Sequence, residues 1–383
     1  MSVTRADVVG SLLRPQQLLA ARQRRAAGEL TPAEFKKIED RAVDAALALQ
    51  RDVGLEVATD GEMRRLSFQS QVTEALAGFG AWDLDAFVWG DWRGDAEVGD
   101  CRIDRPELAV TERLRRRRSP TVEEFVYARA RTEATVKVTL PSPSLFANFW
   151  DPRASTAAYP SLEAFLGDVA ELLREEVDEL TALGCAYVQL DAPHYTLLLD
   201  PAYRDFYQQR GWSAQRFLEL GVELDNAVVG GRPAVTVAFH LCRGNQAGRW
   251  LVEGGYEALA PVLFSRVAAD RLMLEYDDAR SGSFAPLAHV PDDRVAVLGL
   301  VTTKRARLES VAWLRACLDE AARVCPLQRL AVSPQCGFAT SVLGSGGPAA
   351  TGRALATLER RGPTAGFARR PRTGGRSRRA ARR

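Results

Sequence analysis

The run AVTVAFHLC (residues 234–242) is apolar and β-branched until it ends in a histidine and a cysteine. A run of that kind suits a strand buried on both faces, as in a parallel sheet covered by helices. Seven other short runs share its character: DVVGS (7–11), EVATDGE (56–62), TVKVTLPSP (135–143), AYVQLDAP (186–193), RLMLEYD (271–277), RVAVLGLV (294–301) and RLAVSPQC (329–336). Amphipathic segments lie between them, among them Pro32 to Asp52, SLEAFLGDVAELLREEVDELTALG (161–184) and LESVAWLRACLDEAARV (308–324). Eight strands alternating with helices predict an α/β chain folded as a single (β/α)8 TIM barrel over residues 1–343.

Residues 63–134 exceed one crossover and predict an insertion after strand 2, beside the active face, with room for a small hairpin. It carries WDLDAFVWGDW (82–92) and the run RLRRRR (113–118), the latter read as a solvated helix face or a partner for acidic residues, with nucleic acid an unlikely partner. The charge is uneven. Residues 344–383 hold 11 of the 51 basic residues and one of the 49 acids, so the body carries 40 basic against 48 acidic residues. That segment is poor in large apolar residues and reads as a basic low-complexity tail, disordered on composition. The abrupt change fits either a shifted reading frame near codon 345 or a genuine tail.

The chain is 46% hydrophobic, enough for a large core. It contains no apolar stretch of about 18 residues, which excludes a spanning helix, and its first residues lack the apolar core of a secretory signal. Six scattered cysteines make no disulfide framework. A reducing, cytoplasmic setting is expected, with no membrane partner. Composition and spacing say nothing of oligomeric state.

Functional groups of a parallel barrel gather where strands end. The polar residues there are Ser11, Asp60 and Glu62, Ser142, Asp191, His240 and Cys242, Glu275 and Asp277, and Cys336. His240 and Cys242 stand two apart on an extended segment, so their side chains point the same way. Imidazole and thiolate suit a borderline cation such as Zn2+. Cys336 and Glu275 end later strands and could complete a tetrahedral set. On spacing alone two readings stay open, a metal centre and a buried strand end.

The segments VVGSLLRP, VATDGEMRR, YVQLDAP, HLCRGN, LMLEYDDARSG, VLGLVTTK and SPQCGF, in that order between residues 5 and 344, resemble the cobalamin-independent methionine synthase family, specifically its short members that keep only the catalytic barrel. The resemblance implies a zinc enzyme that moves a methyl group to the sulfur of homocysteine. His240, Cys242, Glu275 and Cys336 match the metal ligands, with Asp277 a competitor for the carboxylate role. Glu62 and Asp191 match the catalytic acids that hold the substrate amino group, and Val9, Gly10 and Ser11 match the segment binding its carboxylate. Trp150, or Phe149 beside it, falls where the family places an aromatic contact for a methyl-folate donor. Val8 departs from the histidine common in short members. Two alternatives are a related zinc transferase or lyase of the epoxyalkane:coenzyme M type, and an inactive barrel retained for binding.

Overall fold

The computed structural model describes residues 4–80 and 89–342, so the basic segment 344–383 lies outside the described residues. Eleven strands are described: β1 (Val57–Ala58), β2 (Leu76–Phe79), β3 (Gly90–Trp92), β4 (Cys101–Ile103), β5 (Val110–Arg116), β6 (Thr135–Pro141), β7 (Tyr187–Asp191), β8 (Thr236–Leu241), β9 (Arg271–Glu275), β10 (Val295–Val301) and β11 (Leu330–Pro334). Seven of them form one parallel sheet in the order β1-β6-β7-β8-β9-β10-β11. Within this sheet each strand pairs with the next of its seven members along the chain, the pattern that right-handed crossovers generate. The sheet curls, giving an α/β fold of TIM-barrel-like type.

Helices supply most of the crossovers and begin where the sequence provides caps. Thr31 and Glu34 make a reciprocal capping box at the start of Pro32–Asp52; Ser161 caps Leu162–Ala182 and Ser310 caps Val311–Ala321. Leu162, Phe165, Leu166, Val169, Leu173, Val177 and Leu180 recur every three or four residues and are buried. That stripe turns the helix toward the core. Between β9 and β10 the connection is made instead by the short 3-10 turns Ala279–Ser281 and Ala285–His289.

The expected first strand, DVVGS, forms no ladder among the described residues; the residue before it, Ala6, makes a single parallel bridge to Val332. Side chains take over the backbone groups that a ladder would use. The Val8 N–H donates to the Asp7 carboxylate, and the Gly10 carbonyl accepts from the Thr59 hydroxyl at 2.6 Å. Residues 4–12 still fill the place between β11 and β1: Asp7 N–H donates to Val332, and Leu12 N–H donates to Gly61. Near the N-terminal ends of the strands Asp7 is wholly buried among Lys137, Arg271 and the Tyr187 hydroxyl. Burial would raise its pKa, but Lys137 and Arg271 hold it below the ordinary carboxylate value.

The insertion contains two antiparallel pairs, β2 with β5 and the hairpin β3–β4. The run RLRRRR is therefore not a helix face; most of it belongs to β5, paired with β2 through Leu76–Arg116 and Ala77–Arg115. Helix propensity is a weak prior that this pairing overrides. The arginines do meet acidic residues: Arg113 pairs with Asp168, Arg116 with Glu176 and Glu179, and Arg118 with Glu74.

Arg14 ties this frame together at the functional end. Its buried guanidinium donates to the carbonyls of Ala339, Ser341, Glu62 and Arg65 at 2.9–3.0 Å. Arg14→Met keeps the stem and leaves those acceptors without their donor. The substitution is expected to lower unfolding free energy by roughly 4 kcal/mol, read as a lower denaturation midpoint; an unchanged midpoint would show that these bonds do not hold the segments together.

Candidate active site

The C-terminal ends of the strands border a cleft lined among others by Val9, Ser11, Glu62, Asp191, His240, Cys242 and Cys336. A concave, mostly apolar site with a few convergent polar groups suits small-molecule substrates. His240 lies near the end of β8, Cys242 just beyond it, and Cys336 two residues past β11. Their ligand atoms all lie within 4.8 Å of one another, and the two sulfurs are 3.7 Å apart. Neither His240 nitrogen has an oxygen or nitrogen partner among the described residues; the ring's side-chain partner is the Cys242 sulfur. Buried polar atoms are normally satisfied, so an imidazole left with sulfur for its partner fits a soft or borderline metal ion. The hydrogen bond from Cys336 holds the Cys242 thiol well below its ordinary pKa, with His240 adding to the effect. The same bond holds the Cys336 thiol well above its own.

Glu275 stands apart from this trio. It is fully buried, its Oε1 accepting from Lys304 Nζ at 2.8 Å and its Oε2 from the Arg243 backbone N–H at 2.5 Å. Asp277 is engaged likewise, with Lys304 at 3.3 Å and Arg280 at 3.8 Å. The structure thus brings together three of the four expected ligands and anchors Glu275 beside them through the residue that follows Cys242.

Glu62 sits in a left-handed conformation (φ 55°) within the turn Asp60–Gly61–Glu62, a strained geometry for a residue with a side chain. Its Oε1 accepts from Thr139 at 2.9 Å and lies 3.5 Å from Arg65, while Oε2 is buried without a partner. Burial raises its pKa against the pull of Arg65. Asp191 accepts from Gln189 at 2.7 Å, and burial pushes it up to about 7. Gly10 contributes by lacking a side chain, since a Cβ there would fall 2.6 Å from Glu62 Oε1. Val9 and Ser11 line the cleft, and Ser11 Oγ accepts from the Ala339 N–H.

Trp150 is not a cleft residue. It is buried in the core, its indole N–H donating to the Tyr159 carbonyl at 3.3 Å, and Phe149 packs beside Phe79 and Phe146. The cleft aromatics are Trp89, Trp92 and Phe68 instead. Trp92, delivered by the β3–β4 hairpin, rests on Gly244, where a Cβ would meet its ring at 3.0 Å. The W-x-x-W spacing at the end of WDLDAFVWGDW is the signal that could have found the pair; residues 81–88 lie outside the described residues. His194, three positions after Asp191, also lines the cleft and went unread in the sequence.

A family model described as "Cobalamin-independent synthase, Catalytic domain" matches residues 4–346. A Bacillus subtilis protein, the uncharacterized YxjH, is 33% identical over 89% of both chains. The methionine synthase of Pyrococcus abyssi is 24% identical over 87% of this chain and 85% of its own. Among solved structures, a putative vitamin-B12 independent methionine synthase from Listeria monocytogenes superposes with a TM-score of 0.70 at 25% identity, covering 94% of this chain and 97% of the other. A match over nearly the whole chain, with His240, Cys242 and Cys336 converging at the strand ends, places this protein in the cobalamin-independent methionine synthase family, as a catalytic domain of that type.

Proposed function

We propose that the protein transfers a methyl group to the thiol of homocysteine, using Zn2+ held by His240, Cys242 and Cys336 in a closed eight-position barrel. The observation that carries this reading is the buried trio at the cleft wall, in which the imidazole has no oxygen or nitrogen partner among the described residues. A bound Zn2+ supplies deprotonation of a coordinated thiol, whose free pKa of about 8.5 leaves it mostly protonated at neutral pH. Glu275 would complete the ligand set when no thiol is bound, and Lys304 and the Arg243 N–H, which hold its two oxygens, would keep it in place otherwise. Glu62 and Asp191 receive the substrate ammonium: one has an unpartnered oxygen and the other a carboxylate facing the same cleft. Val9, Gly10 and Ser11 border the carboxylate end. A methyl-folate is the donor, seated against the apolar side formed by Trp89, Trp92, Leu145 and Leu197.

The two carboxylates disfavour a thiol carrying a sulfonate, as in the coenzyme M type of reaction, by like-charge repulsion. The matching Shewanella methionine synthase structure contains selenomethionine, a product-like amino acid. The test is zinc content by mass spectrometry together with methionine formation from homocysteine and 5-methyltetrahydrofolate. About one zinc per chain and turnover are expected. A folded, metal-replete protein without turnover would overturn the reaction, and a folded protein with no affinity for zinc would overturn the centre.

A further inference from the structure

Behind Asp191 lies a buried polar chain that the roles assigned so far leave unused. Ser142 Oγ donates to Asp225 Oδ1 at 2.6 Å, and the Tyr195 hydroxyl donates to Asp225 Oδ2 at 2.7 Å. Ser144 Oγ lies 3.0 Å from Ser142 Oγ, 2.9 Å from Tyr195 Oη and 2.8 Å from His194 Nε2. Tyr195 is fixed over Gly221, where a Cβ would come within 2.2 Å of its oxygen. His194 is fully buried, and burial lowers its pKa to about 3, so the ring is neutral.

A neutral imidazole carries one N–H, and the network decides which nitrogen bears it. Each hydroxyl brings one hydrogen to the five contacts. With the proton on Nε2 the ring donates to Ser144, freeing the Ser144 hydrogen for Tyr195 or Ser142. With the proton on Nδ1, Ser144 must donate to the ring and one more contact goes unmet. That difference of one holds whether Asp225 is ionised or protonated. Nδ1 is then a bare acceptor, and it has no partner among the described residues.

His194 lines the cleft together with Leu145, Asn148 and Leu197, and Trp89 packs against the apolar cluster that includes Leu197. Building on the methyl-transfer reading, we infer that His194 is a positioning residue for the methyl donor, its Nδ1 accepting a hydrogen bond from a neutral N–H of a heterocyclic donor. A neutral acceptor in apolar surroundings suits a neutral N–H; the substrate ammonium has Glu62 and Asp191.

The chain has three histidines, His194, His240 and His289, so 15N-histidine spectra of the zinc-loaded protein resolve each ring. The free protein should show His194 protonated on Nε2. Saturating 5-methyltetrahydrofolate should move its Nδ1 resonance, and homocysteine alone should not. His194→Gln retains an amide that can reach Ser144 and leaves no acceptor at the Nδ1 position; calorimetry should show donor binding weakened about tenfold, with zinc content and homocysteine affinity unchanged. Donor binding that leaves Nδ1 unmoved, or equal donor affinity in H194Q, overturns the inference alone. If H194Q does not fold, the wild-type spectra decide. A folded, zinc-loaded wild-type protein that does not bind this donor overturns the donor assignment above and the inference with it.

Discussion

Cys336→Ser is expected to release zinc and abolish methyl transfer while leaving the barrel folded. The serine hydroxyl is a harder and far less acidic donor than a thiol, so it cannot replace a thiolate toward a borderline cation. The remaining histidine and cysteine, His240 and Cys242, come from a single strand end and would hold a bound ion from one side only. Changing even an outer partner of a metal ligand commonly costs 10–100-fold in affinity or activity, so losing a direct ligand should exceed about 10²-fold. Stability should change little, because Cys336 touches its partner sulfur at the cleft wall and replacing sulfur by oxygen opens almost no space. Zinc measured after dialysis against a weak chelator, beside circular dichroism, separates loss of metal from loss of fold. Cys185→Ser is the control, since Cys185 is buried away from the trio at the entry to β7. Full zinc retention in C336S would remove Cys336 from the centre.

How far the site was legible follows from where each side chain finds its partner. His240, Cys242 and Cys336 could be read because ligand chemistry and strand-end position coincide, and parallel strands of known order bring their ends together. Glu275 occupies an equivalent strand end, yet its environment depends on Lys304, a residue 29 positions away in the loop after β10. No local pattern announces that pairing. Trp150 failed for the converse reason: nearness to a strand end in sequence does not fix which way a loop residue turns, and this one turned into the core. Trp89 and Trp92 reach the cleft by way of a hairpin whose pairing, Gly90–Ile103 and Trp92–Cys101, spans an intervening loop. The first strand shows a subtler limit. Its apolar character was right, but Asp7 and Thr59 satisfy its backbone through side chains, and hydropathy does not see those bonds.

Asp191→Asn is expected to raise the KM for homocysteine on the order of 10²-fold with zinc content unchanged. The exchange is nearly isosteric and leaves Gln189 a hydrogen-bond acceptor at 2.7 Å, so the wall keeps its shape. What disappears is charge. A buried carboxylate receiving an ammonium forms a desolvated ion pair, and removing one partner of such a pair costs about 2–5 kcal/mol, the middle of which corresponds to roughly 10²–10³-fold in affinity. Glu62 remains, which keeps the effect from the upper end: its unpartnered Oε2 still offers an anionic acceptor. The decisive comparison uses 4-mercaptobutanoate, homocysteine without its amino group. Wild-type protein should favour homocysteine strongly over this analogue, and D191N should lose most of that preference because the analogue brings no ammonium to either enzyme. A general distortion of the cleft would weaken both thiols together and leave their ratio intact. An intact ratio in D191N would therefore move the ammonium site away from Asp191 and leave Glu62 as its only carboxylate.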